Sequence, residues 1–164
     1  MLIVLNVGLT DMDIFTVSLF GHRDASDLRK WEDRLAATIK ELIQTKPYVS
    51  FLIGRNGHFD EMSASVIKRV QKETGRDNSD ITLVLAYTVA ALNDYEKYYD
   101  GILLPDCVCG AHPKAAITLK NRWMVEQSDL VITYISRTTG GAYAAMQYAK
   151  KRNKRIVNLY TDSL

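Results

Sequence analysis

The sequence predicts an α/β fold, a single Rossmann-like domain in which a mostly parallel sheet has helices on both faces. Short apolar runs typical of buried strands alternate with longer segments of helical periodicity along almost the whole chain. The chain has 164 residues, of which 47% are hydrophobic. This length and composition suit one domain with its own core, so we expect residues 1–164 to form a single unit.

Six apolar runs have the length and composition of buried strands. They cover residues 16–20, 49–53, 81–86, 102–104, 130–135 and 156–160. The run at 130–135 is apolar almost throughout, as is typical of an interior parallel strand. A further run at residues 2–7 predicts either an edge strand, which we favour, or a flexible leader within residues 1–12.

Helix-start signals and helical periodicity place helices between these strands. Ser26 or Asp27 is expected to cap the first helix, Asp60 to open the second, and Pro113 to lie in the first turn of the fourth. The inner side of the first helix is predicted to comprise Leu28, Trp31, Leu35, Ile39, Leu42 and Ile43. Two further helices are expected around residues 92–99 and 141–151.

Composition excludes several classes of protein. With 21 Lys and Arg against 19 Asp and Glu, the net charge is +2, too small for overall charge to drive binding to nucleic acid or membranes. The two cysteines make no disulfide framework, and the N-terminus has no signal-peptide pattern, so a cytoplasmic protein is expected. The longest uncharged apolar stretch, residues 81–93, is shorter than the roughly 20 residues of a membrane span.

Three glycine-containing loops each follow a predicted strand and precede a helix. The carboxyl ends of parallel strands are where α/β sheets bind ligands, so we expect these loops to converge. Their glycines let the backbone approach a phosphate, while helix N–H groups and the arginines of the loops, with Arg137 beside them, donate hydrogen bonds to it. The predicted ligand-binding residues are Gly21, His22, Arg23, Gly54, Arg55, Gly57, Thr138, Thr139, Gly140 and Gly141.

None of these loops has a standard nucleotide-binding fingerprint. Neither Gly-x-x-x-x-Gly-Lys-Ser/Thr nor Gly-x-Gly-x-x-Gly occurs in the chain, which argues against a P-loop ATPase or an NAD-dependent dehydrogenase. One glycine after a strand is usually ordinary turn chemistry, but three such loops together favour binding of a phosphate-bearing ligand.

Four motifs in a fixed order carry a family resemblance over about residues 16–160. They are Phe20-Gly21-His22-Arg23, Gly54-x-x-Gly57-x-x-Asp60, Asn121-Arg122-Trp123-Met124-Val125 before Ser128-Asp129, and Gly140-Gly141-Ala142-Tyr143 ahead of Tyr148-Ala149-Lys150-Lys151. They resemble the YpsA-like proteins of the SLOG superfamily, which also includes the DprA/SMF proteins and the LOG-type nucleotide hydrolases. The resemblance implies a Rossmann-like domain that binds a nucleotide or nucleotide-derived ligand, often as a homo-oligomer, and no cofactor is expected.

The resemblance also implies catalytic positions. The phosphoribohydrolases of the superfamily use an Arg on the helix before the late strand, matched here by Arg122, and a Glu after a glycine-rich motif. No Asp or Glu occurs between Arg137 and Thr161, so Asp60 or Glu61 would have to supply the acid. Asp60 and Arg122 are the predicted catalytic residues, although a helix cap explains Asp60 equally well.

Three functions therefore stay open. The first is nucleotide binding without turnover, as a sensor or carrier; the second is hydrolysis of a nucleotide N-glycosidic bond. The third is binding of single-stranded DNA through the basic run Lys150, Lys151, Arg152, Lys154 and Arg155. The tyrosines at 95, 98 and 99 either stack a base or pack a helix or an oligomer interface.

One cysteine pattern suggests a metal site but supplies too few ligands for it. Cys107-x-Cys109-x-x-His112 supplies three ligand types close in sequence. A structural zinc site needs four ligands, and no second Cys/His pair occurs at a suitable spacing. No metal site is predicted.

Overall fold

The computed structural model describes residues 13–24, 27–90 and 92–161. Within these residues, six strands form one sheet in the order β4-β3-β2-β1-β5-β6, and every neighbouring pair is parallel. The strands are β1 (Ile14–Gly21), β2 (Tyr48–Ile53), β3 (Ser79–Val84), β4 (Gly101–Leu103), β5 (Leu130–Tyr134) and β6 (Arg155–Asn158). The predicted Rossmann-like α/β class is confirmed.

Helices connect successive strands, apart from a short 3-10 turn at Asp106–Val108 that precedes the fourth helix. None of the helices in the described residues is both long and apolar enough to cross a membrane. The helices are α1 (Leu28–Thr45), α2 (His58–Thr74), α3 (Leu92–Tyr98), α4 (Pro113–Gln127) and α5 (Gly141–Lys151).

The sheet is covered on both faces because side chains alternate along the central strand β1. Val17 and Leu19 join a core formed with α1 and α2, whereas Phe20 packs against α4 and α5 on the opposite face. Ser18, also on that second face, donates a hydrogen bond to the Met124 carbonyl at 2.9 Å. The strip of α1 from Trp31 to Ile43 that was predicted to face inward is buried.

Several predicted boundaries shift for local reasons. Helix α2 begins at His58, ahead of Asp60, because Gly57 takes a φ of +119° and turns the chain earlier. Strand β6 ends at Asn158, whose side chain bonds to both backbone groups of Ile135 and turns the chain out of the sheet.

Two predictions at the N-terminal side have different outcomes. Asp27 occupies the N-cap position of α1, as one of the two predicted alternatives has it, but it is left-handed, with φ of 72°, and its side chain accepts no capping hydrogen bond. Ser26 and the strand at residues 2–7 lie outside the described residues.

Replacement of Gly21 tests how closely α2 packs on the end of β1. A Cβ at this position would lie 2.1 Å from Cγ of the Phe59 ring. We expect Gly21→Ala to lower the free energy of unfolding in urea by about 1–3 kcal/mol through overpacking. Gly141→Ala is the control, because its Cβ meets only Asn121 Nδ2 at 3.8 Å. Equal stability of the two variants would contradict this packing.

Candidate functional site

A pocket of about 320 Å³ opens at the carboxyl ends of β1, β2 and β5. Its walls combine the three glycine loops with the inner side of α4. Six of the predicted ligand-binding residues line it together with Asp60: Gly21, His22, Arg23, Gly54, Gly140 and Gly141. Four others, Arg55, Gly57, Thr138 and Thr139, stand in the same loops but outside its lining.

The loops after β1 and β2 are held against each other by backbone contacts. The His58 N–H donates to the Arg23 carbonyl at 3.1 Å. A Cβ on Gly57 would lie only 2.6 Å from Cα of Arg23. Close backbone packing and its positive φ therefore account for the glycine at position 57 without any ligand.

The loop after β5 is joined to the loop after β1. The Arg137 N–H donates to Nε2 of His22 at 3.4 Å, and the Arg137 guanidinium binds both carboxylate oxygens of Asp24, at 2.8 and 3.0 Å. Burial, followed by the charge of Arg137, lowers the pKa of His22. His22 is therefore a neutral hydrogen-bond acceptor at physiological pH, and it positions the loop above the pocket.

Gly140 is the glycine best placed for close approach of a ligand. Its φ of +94° disfavours other residues, and a Cβ there would meet no atom within 4 Å. It precedes α5, which begins at Gly141 with no side-chain cap and no acidic residue in its first turn. The first N–H groups of such a helix attract anions.

A buried lysine in the pocket wall is a candidate functional residue that was not among the predicted site residues. Lys120 is only 6% exposed, and none of the described residues gives it a hydrogen bond or an ion pair within 4 Å. The missed signal was its spacing, because Lys120 lies four residues after Ala116 and four before Met124, both buried on the inner side of α4. A lysine is seldom buried in such an apolar strip unless its charge is paired.

Lys120 faces Asp60 across Gly54. A Cβ on Gly54 would lie 2.9 Å from Oδ2 of Asp60 and 3.1 Å from Nζ of Lys120. Asp60 also accepts a hydrogen bond from the Asn56 N–H at 2.9 Å. Burial raises the pKa of Asp60 to about 6, against the opposing effect of Lys120, and burial lowers the pKa of Lys120.

A second cavity, of about 350 Å³, lies between α4 and α5 beside the pocket. We call it the α4–α5 groove. It shares Ile117, Asn121 and Gly141 with the pocket and is mostly apolar. Arg122 lies here, with its guanidinium 5.2 Å from the centre of the Tyr148 ring. The two predicted catalytic residues, Asp60 and Arg122, therefore line adjacent cavities and do not share one.

Of the basic run, Lys151 lines the α4–α5 groove, whereas Lys154 and Arg155 lie away from the pocket. Arg155 begins β6 at the amino end of the sheet, opposite the strand ends that form the pocket. Lys154 donates to the carbonyls of Glu126 and Ser128, at 3.1 and 2.9 Å, and so binds the C-terminal end of α4. This part of the run stabilises a helix end.

The cysteine motif does not assemble a metal-binding cluster. Cys107 and Cys109 are both exposed free thiols. In the part of the chain that the structure describes, no three side chains of the His, Cys, Asp and Glu types come together as a metal site would require.

The chain is similar in fold to two solved structures of DNA processing protein A (DprA). One is from Streptococcus pneumoniae, with a TM-score of 0.61, 14% identity, and coverage of 88% of this chain and 50% of that one. The other, from Helicobacter pylori, is described as having a unique single-stranded DNA binding mode; its TM-score is 0.57, with 16% identity over 87% of this chain and 63% of that one. No protein-family model and no curated protein matches the sequence.

These likenesses establish the fold. DprA proteins belong to the SLOG superfamily that the sequence motifs resemble, and this chain shares a Rossmann-like fold with the two DprA structures. This chain spans between half and just under two thirds of the length of the two DprA chains. Assignment to the YpsA-like branch stays a prediction.

The raised pKa of Asp60 predicts a stability that depends on pH. Because this pKa is about 6 in the folded chain and near 4 in the unfolded chain, the folded chain holds the proton more tightly. Its contribution to stability is full below about pH 4 and is lost as the pH rises through 6. Relative to Asp60→Asn, the wild-type free energy of unfolding should fall by up to about 3 kcal/mol between about pH 4 and 7. A constant difference in urea titrations would contradict this.

Proposed function

We propose that the pocket binds the phosphate of a nucleotide. The observation that carries the proposal is Lys120, a buried lysine that reaches the pocket without a bonded partner. An ammonium group removed from water is costly unless it is paired. An anion between Lys120 and the start of α5 would supply that partner.

The charges around the pocket support an anion of this size. Arg23 and Lys120 contribute positive charge to the lining, Arg137 is already paired with Asp24, and Asp60 is the carboxyl group among the lining residues. Free N–H groups at the start of α5 add directional donors, which suit the several oxygens of a phosphate. Gly140 leaves the space above this helix end open.

The α4–α5 groove suits the nucleoside. The groove is mostly apolar, whereas the lining of the pocket is mixed, and Asn121 and Gly141 belong to both. The Arg122 guanidinium lies over Tyr148 as a flat wall of the groove, a surface on which nucleobases stack. A ligand with an anionic end and a flat, mostly apolar end matches both cavities, as a nucleotide does.

The bound nucleotide has two possible sources, a free metabolite and a unit of single-stranded DNA. The Helicobacter pylori neighbour is described as a protein that binds single-stranded DNA, which favours the strand. A strand held here would not also contact Lys154 and Arg155, because these lie at the other end of the sheet. We expect its affinity to depend on few phosphate contacts and to vary weakly with salt.

Hydrolysis is the less supported activity. Asp60, with its pKa near 6, could donate a proton, but Arg122 lies in the neighbouring groove beside Tyr148. The lining of that groove contains no carboxyl group to activate water. Release of free base from a nucleotide, lost in Asp60→Asn, would support an enzyme over a binding protein.

Removal of the Lys120 charge should separate binding from stability. We expect Lys120→Met to weaken the binding of inorganic phosphate and AMP by about 10- to 100-fold, since a charged hydrogen bond is lost. Its free energy of unfolding should change little, because the desolvation cost of the ammonium group and its attraction to Asp60 are lost together. Calorimetric titration and urea unfolding measure the two effects. Lys114→Met, on the exposed side of α4, is the matched control; equal affinities of the two variants would refute the proposal.

Filling the α4–α5 groove should affect the nucleoside and spare the phosphate. Ala144 is exposed on α5 and lines the groove. We expect Ala144→Leu to weaken AMP binding by about 10-fold or more, while inorganic phosphate binds as in the wild type. Ala115→Leu, on the exposed side of α4, serves as the control. If Ala144→Leu leaves AMP affinity unchanged, the nucleoside lies elsewhere.

A further inference from the structure

A strip of tyrosines and cations runs along one side of the pocket and belongs to neither cavity described above. We call it the aromatic strip. Arg55 lies at the end of the strip nearest the pocket, because the residues on either side of Arg55 in the sequence, Gly54 and Asn56, both line the pocket. The strip consists of Tyr87, Tyr95, Tyr98 and Tyr99 with Arg55 and Lys68.

The part of the strip nearest the pocket is built around Arg55. Its Nη1 donates to the Tyr95 hydroxyl at 3.4 Å. Its guanidinium lies 5.8 Å from the centre of the Tyr87 ring. Tyr87 follows β3, so this part of the strip lies at the same end of the sheet as the pocket.

The part of the strip farther from the pocket follows α3 towards α2. Ring centres are 6.2 Å apart for Tyr95 and Tyr99, and 5.0 Å apart for Tyr98 and Tyr99. Nζ of Lys68 lies 4.4 Å from the centre of the Tyr98 ring. Contacts between neighbouring side chains are therefore unbroken from the pocket edge to the side of α2.

The strip is exposed although it is strongly aromatic. Tyr87 and Tyr98 are each 39% exposed. Tyr99 packs against the core and anchors the row. Exposed aromatic rings with cations beside them offer faces on which successive bases stack and charges that meet phosphates, the combination used by proteins that bind single strands.

We propose that the aromatic strip stacks the bases of a single-stranded nucleic acid whose phosphate occupies the pocket. The proposal rests on the proposed function of that pocket and extends the ligand from one nucleotide to several. Asp94 and Glu96 are exposed on the same helix α3, so the strip is not uniformly basic. Stacking is therefore its main contribution, and a double helix, whose bases already stack on one another, would not engage it.

The test compares labelled thymidine oligonucleotides of two and ten nucleotides by fluorescence anisotropy. We expect the ten-nucleotide strand to bind wild type more tightly, and Tyr87→Leu and Tyr98→Leu to weaken it by about 5- to 100-fold each. Tyr87→Phe keeps the ring and should keep the affinity. The control is Tyr160→Leu, which removes an exposed tyrosine beyond β6 at the far side of the sheet.

The salt dependence of strand binding and the affinity for inorganic phosphate show which interaction each variant has lost. The tyrosine variants should keep the wild-type salt dependence, while Arg55→Ala should reduce the logarithmic slope by about 0.7, the value for one phosphate contact on a single strand. Binding of inorganic phosphate, measured by calorimetry, should be the same in wild type, Tyr87→Leu and Tyr98→Leu.

The outcomes that overturn the proposal are distinct from failure of the pocket. If phosphate binds but the ten-nucleotide strand binds no tighter than the dinucleotide, the strip has no such role and the pocket proposal stands. If neither phosphate nor either strand binds, both proposals fall. If Tyr87→Leu and Tyr98→Leu shift the sedimentation of the protein without changing strand affinity, the strip is an interface between copies, and the proposal is wrong.

Discussion

The arrangement of the site depends on two opposite charges enclosed on either side of Gly54. Asp60 enters from the first turn of α2 and Lys120 from the inner side of α4, and a Cβ on Gly54 would displace both. Neither group is fully compensated, since burial raises the pKa of Asp60 and lowers that of Lys120. The fold therefore buries two incompletely compensated charges in the pocket wall. Electrostatically unfavourable arrangements of this kind are common at binding sites.

The glycines of the three loops look alike in the sequence, but each is required for a different structural reason. Gly21 is required by the Phe59 ring and Gly57 by the backbone of Arg23. Only Gly140 combines a positive φ with open space beside it. A glycine in such a loop therefore indicates that some group approaches the backbone closely. The structure shows whether that group is another part of the protein or whether the space is open to a ligand.

The sequence predicted the strand order along the chain, the fold class and the convergence of the three loops, because these follow from periodicity and from the geometry of parallel sheets. The predictions missed that Arg122 faces Tyr148 and that Lys120 faces the pocket. The two residues are neighbours on one helix, and a difference of two positions rotates a side chain by about 200°. The motif in which Arg122 stands indicated the side of α4 that faces the α4–α5 groove and not the side that faces the pocket.

The position of the pocket follows from the connectivity of the sheet. Chain order runs outward from β1 to β4 in one direction and then resumes beyond β1 with β5 and β6. Loops after β1 and β5 must therefore leave towards opposite faces, and they separate into a crevice where the direction changes. The α4–α5 groove lies on one side of this crevice and the aromatic strip on the other. A ligand with a single phosphate at the crevice can extend in either direction, and an oligonucleotide can extend in both.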